Sequence, residues 1–140
     1  MSINPEWLDE VLELRRFCVA HELDGYEQLY TIPTCDLTHK YNGIGPECFC
    51  AYLRAKIGKL NPILKPAALI HDVDWDENNG SKEWYHGSNS RFLNNARLCA
   101  KLKYGWYNPL RYFVSYKAKL FFNAVETHFG WYAYQKASKK

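Results

Sequence analysis

The sequence predicts a mainly α fold, and three observations carry that expectation. Apolar residues recur every three or four positions through several long stretches, the spacing of one helix face. Little alternates with period two, as a half-buried strand would. Capping residues and helix breakers stand where the periodic stretches begin and end. With 140 residues and 47% hydrophobic content, the chain can build one real core but not two comfortable ones. Its 16% aromatic content argues against disorder, because that much apolar surface offsets chain entropy. A single domain over residues 1–140 is expected, without internal repeat or inter-domain linker.

The first element is "NPEWLDEVLELRRFCVAHELDG". Asn4 caps it, Pro5 suits the first turn, Glu6, Asp9 and Glu10 sit at the positive end, and Gly25 closes it. Trp7, Leu8, Val11, Leu12, Leu14 and Cys18 make its core stripe. Residues 26–45 read as irregular, because Pro33, Asn42-Gly43 and Gly45 interrupt regular structure. A second helix is expected from Pro46, limited by Gly58 and Pro62. A third starts at Pro66 and ends near Gly80; a polar linker then leads to a fourth, "SNSRFLNNARLCAKLKYG". The last runs from the Asn108 cap and Pro109 to Gly130.

The formal charge of +3 is mild, so no nucleic-acid partner is expected; an anionic membrane surface suits it. No run of apolar residues is long enough for a transmembrane segment, and the N-terminus lacks a basic-then-apolar signal pattern, so synthesis in a cytosol is expected. Five cysteines, an odd number, are expected as reduced thiols.

Chemistry concentrates in "AALIHDVDWDENNG", residues 67–80, where an apolar run meets His71, Asp72, Asp74 and Asp76. Successive helical residues point about 100° apart, so His71 and Asp72 face adjacent directions. An imidazole is thereby offered to one site and a carboxylate to a neighbouring metal. The plain alternative is a helix leaving the core, with His71 hydrogen-bonded at the boundary and Asp74 and Asp76 solvated. Upstream, "KYNGIG" (residues 40–45) has two glycines that permit carbonyls to converge, as a hard cation such as Ca²⁺ requires.

Two other metal readings are weaker. Asp72, Asp74, Asp76 and Glu83 fall at ligand positions of a helix–loop–helix calcium loop, but Glu77 replaces its turn glycine. Cys35, His39, Cys48 and Cys50 have no standard zinc spacing, and buried thiols are the expected state. The tail "GWYAYQKASKK" reads as a solvated basic end with a composition that also suits a membrane interface.

Taken together, these motifs resemble the phospholipase A2 superfamily. Tyr41-x-Gly43-x-Gly45 is similar to its Y-x-G-x-G calcium loop, and His71-Asp72 after "PAALI" to its HDxxY catalytic helix. "GSNSRFLNN" resembles the partner helix, whose aspartate orients the histidine; Asn89 takes that place here. Trp75 stands where the family has a tyrosine, and "PECFCAYLRAKIGKLNP" lengthens the segment before the histidine. The motif core spans residues 41–95. Without a disulfide framework, the chain is more similar to phospholipase A2-like domains of viral and phage-encoded small proteins than to secreted enzymes.

The resemblance implies a paired-helix core with extra N- and C-terminal helices and a carboxylic ester hydrolase of lipid degradation. Ca²⁺ would be held by the carbonyls of Tyr41, Gly43 and Gly45 and by Asp72, with His71 as general base and Asn89 orienting it. The implied partner is a phospholipid or membrane surface, with a place on a virion or at a membrane. The other implied possibility is a non-catalytic phage or host-interaction protein on the same scaffold.

Overall fold

The computed structural model of the chain describes residues 5–40, 62–127, 130–132 and 134–135. Among the described residues all regular structure is helical, as expected, and no helix is long and apolar enough to cross a membrane. α1 covers Pro5–Ala20, followed by two short helices, α2 (Gln28–Thr31) and α3 (Thr34–Lys40). A 3-10 turn at Pro62–Leu64 leads into α4 (Lys65–Asp76), and then come α5 (Lys82–Lys103) and α6 (Pro109–Val125).

α1 ends at Ala20, five residues before the expected Gly25. Residues 21–27 instead form turns in which Glu22 and Gly25 adopt positive φ, 50° and 93°. A Cβ on Gly25 would lie 2.9 Å from Arg91 Nη1 and 3.1 Å from Ile70 Cγ2, so glycine lets this turn approach α4 and α5 closely. The turn is clamped on α5 by a reciprocal pair: Asp24 N donates to Asn95 Oδ1 (2.8 Å) and Asn95 Nδ2 donates to Asp24 O (2.9 Å). Of the predicted stripe, Val11, Leu14 and Cys18 are buried and Leu8 and Leu12 half-buried; the side chain of Trp7 and the cap Asn4 lie outside the described part.

The segment expected to be irregular contains α2 and α3. Pro33 immediately precedes α3 and its carbonyl accepts from Leu37 N at 2.9 Å, so the proline starts a helix, where it lacks no needed N–H. The helix expected from Pro46 lies outside the described residues.

α5 begins at Lys82, so the supposed polar linker is its first turns. The Ser81 hydroxyl caps it by accepting from Trp84 N at 3.1 Å, and Glu83 sits in the first turn. α6 starts as expected, with Asn108 Oδ1 accepting from Leu110 N at 3.0 Å, but stops at Val125 rather than Gly130. There the backbone of Glu126 turns back onto the carbonyls of Ala124 and Phe122.

α4 is the central rod. Ten of its twelve residues, Pro66 to Trp75, are buried, which is how a helix inside a core looks rather than one leaving it. α1 packs on one side through Cys18, whose thiol donates to Pro66 O at 3.3 Å. On another side α5 runs antiparallel to α4, for Trp75 bonds Ser88 and His71 lies against Asn89 and Phe92 as the chain ascends. α6 returns antiparallel to α5, with Phe121 against Phe92 and the Tyr85 hydroxyl donating to Val125 O. Each fully buried Leu, Ile or Phe in this interior contributes roughly 1.5–3 kcal/mol. The tail joins it too: Tyr134 is buried, stacks on Trp131 at 5.6 Å and donates to Ser81 O at 2.9 Å. The aromatic start of the tail is therefore packed rather than solvated at Tyr134, while its lysines lie outside the described residues.

Candidate functional site

His71 sits midway along α4, where burial on every side leaves its ring 2% exposed. Its walls are aromatic. Trp75 lies at 4.9 Å between ring centroids, Phe92 at 5.5 Å and Phe121 at 5.9 Å, the last two edge-on. Side chains of three helices thus pack around the imidazole, with Phe121 of α6 covering one side.

One polar group reaches the ring. Asn89, fully buried on α5, places Oδ1 2.8 Å from His71 Nε2. With an amide oxygen facing it, Nε2 is the donor, and Nδ1 keeps the lone pair. Asn89 Nδ2 has no hydrogen-bond partner among the described residues. The Tyr85 hydroxyl is its electrostatic neighbour, and the interaction with Asn89 opposes the burial-driven rise in the Tyr85 pKa.

Desolvation dominates the titration of His71 and lowers its pKa to about 4, while the hydrogen bond it donates to Asn89 works in the other direction. The imidazole is therefore neutral through the physiological range. Burial likewise pushes the Tyr85 hydroxyl well above its ordinary value, with Glu126 adding to the rise. Trp75 uses its single donor on Ser88 Oγ, at 3.1 Å.

Asp72, the next residue, is 6% exposed, a buried carboxylate on the adjacent face of α4. Its hard oxygens are of the type Ca²⁺ takes. The other expected ligands, Tyr41, Gly43 and Gly45, lie outside the described residues. Among the described residues, His, Cys, Asp and Glu side chains form no cluster of three suited to a metal.

Asp74 departs from expectation, being buried rather than solvated. Its Oδ1 accepts from Gln28 Nε2 and from Arg91 Nη1, each at 2.9 Å, and its backbone carbonyl accepts from Trp84 Nε1 at 2.7 Å. Burial raises its pKa, and the Gln28 and Arg91 contacts oppose that rise. Asp76 is half-buried at the end of α4. Because α4 stays helical through Asp76 and Glu83 is on α5, the four acids cannot encircle one ion, which removes the helix–loop–helix calcium reading. Of the zinc candidates, Cys35 is exposed, its thiol 3.8 Å from Asp36 Oδ1, and Cys48 and Cys50 lie outside the described residues.

The family resemblance paired His71 with Asn89, by its place before Phe92, and the structure brings the two together. Sequence reasoning missed Phe121, Arg91 and Gln28, which reach α4 from elements 17 to 50 residues away; no local pattern marks such partners. No family model matches the chain, and neither the curated proteins nor the solved structures hold a match.

Proposed function

We propose that the chain is a calcium-dependent hydrolase of phospholipid esters, with His71 as general base. The observation that supports this most is the 2.8 Å contact between His71 Nε2 and Asn89 Oδ1 across two packed helices. It holds the ring in one orientation and leaves Nδ1 as the nitrogen able to take a proton from water. Burial keeps that nitrogen unprotonated at neutral pH, and the Asn89 bond favours the charged ring once a proton arrives. Trp75, Phe92 and Phe121 surround the ring with apolar surface and keep bulk water from it. Asp72, with the carbonyls of Tyr41, Gly43 and Gly45, would hold the cation. Bound there, Ca²⁺ supplies Lewis-acid stabilisation of the ester oxyanion.

A second reading is a non-catalytic calcium-binding or interaction module on the same scaffold. The 2% exposure of His71 favours it, because substrate reaches the ring only if the aromatic wall opens. Fatty-acid release from anionic vesicles, with Ca²⁺ or chelator and with His71→Gln beside the wild type, separates the two. Release abolished by chelator and by the substitution is the expected result. Release indifferent to both would sink the mechanism. No release, together with a Ca²⁺-dependent rise in melting temperature that Asp72→Asn removes, selects the non-catalytic module.

A further inference from the structure

We propose that the turn between α5 and α6 and the outer face of α6 dock the protein onto an anionic lipid surface. The inner face of α6 is occupied: Val114, Ala118, Phe121 and Val125, spaced by four, three and four, are buried. A second apolar stripe runs on the opposite side, where Tyr112, Phe113, Tyr116 and Leu120 stand exposed, Tyr116 at 60%. A helix that is apolar on both sides is half-partnered. The turn leading into it adds Trp106 and Tyr107, exposed at 74% and 76%. The Tyr112 hydroxyl donates to Trp106 O at 2.6 Å and ties turn and stripe into one surface.

Charge decides the occupant. α6 carries Arg111, Lys117 and Lys119 and no Asp or Glu, and Lys101 and Lys103 close α5 just before the turn. Lys117 and Lys119 flank the stripe on either side. Their ammonium groups lie over rings, Lys117 5.3 Å from Phe113 and Lys119 4.7 Å from Phe122, and Arg111 stands 5.9 Å from Tyr112. Exposed Trp and Tyr beside Phe and Leu, ringed by cations, match the interface of an anionic bilayer, where amphipathic rings settle at head-group level. A second copy of the chain fits less well, because a symmetric pairing of this face sets its cations against each other. A nucleic acid would match the charge but leave Leu110, Phe113 and Leu120 in contact with water or phosphate.

Phe121 touches the His71 ring from the inner side of α6, so a membrane on the outer side would lie about one helix diameter, ~10 Å, from that histidine. Docking nevertheless stands independently of any hydrolysis by His71.

The test uses the full chain and sedimentation with vesicles of phosphatidylcholine alone or mixed with phosphatidylglycerol, with chelator present so that calcium-dependent hydrolysis cannot intrude. Wild type is expected to bind the anionic vesicles, with a blue shift of tryptophan emission. Trp106→Ser/Phe113→Ser/Leu120→Ser and, separately, Lys117→Glu/Lys119→Glu should weaken binding about tenfold or more while melting stays unchanged, since all five side chains are exposed or at the helix surface. Wild-type binding left intact in both variants would overturn the proposal, as would failure of the wild type to bind. Two further outcomes count against it: a dimer lost in the triple variant without vesicle binding, and retention of RNA or DNA without vesicle binding.

Discussion

Acid should loosen this protein through His71. The ring's pKa falls from an ordinary 6.5 to about 4 on folding, because charging it inside α4, α5 and α6 removes the ion from water. A folded-state pKa below the unfolded one means stability fully present above pH 6.5 and lost as pH falls toward 4. At about 1.4 kcal/mol per unit, the loss is about 1.4 kcal/mol near pH 5.5 and about 2.5 kcal/mol near pH 4.5. Asp74 acts with the opposite sign, since its raised pKa favours the folded state on acidification, but it is common to wild type and variant. Urea midpoints of wild type and His71→Gln, measured at those pH values and at 7, isolate the histidine by difference. The two stability curves should converge as pH falls. Parallel curves would refute the account of a buried neutral imidazole.

Asn89→Asp puts a carboxylate where Oδ1 now lies 2.8 Å from Nε2, and should raise the His71 pKa by roughly 1–3 units in an NMR titration of the ring protons; an unmoved pKa would contradict the pairing. Phe121→Ala leaves a cavity between α4, α5 and α6 and should cost about 3–5 kcal/mol by urea unfolding, because this 2% exposed ring packs on both His71 and Phe92. Arg91→Met leaves the buried Asp74 carboxylate with Gln28 alone on Oδ1 and should cost roughly 1–3 kcal/mol, tempered by the guanidinium's partial exposure. Adding Asp74→Asn should recover part of that loss, and strict additivity of the two would refute the pairing.

Where the legibility of the sequence ended can be read from single residues. Asn108-Pro109 announces the start of α6 by local chemistry, a side chain capping an N–H two residues on, and the structure has that cap. Ser81 carries the same signal, yet Gly87 and the polar residues around it hid the first turns of α5. The placing of Asn89 opposite His71 was legible only through the family resemblance, which puts the histidine's orienting residue just before Phe92, and the structure has that contact.

The apolar stripes, caps and breakers by themselves determined that the chain is mainly helical, since helix formation depends on residues three and four apart; that His71 would face Asn89 came from the family resemblance. They could not tell that α4 is enclosed on every side. Asp74 looks like a solvated acid until Gln28 and Arg91 close on it from two other elements. The tail aromatics look like a loose end until Tyr134 is buried, and the outer ring stripe of α6 looks like core until nothing among the described residues covers it. Burial is a property of what arrives from elsewhere in the chain, so only the tertiary structure decided which rings are interior, which carboxylates are paired, and why His71 stays neutral.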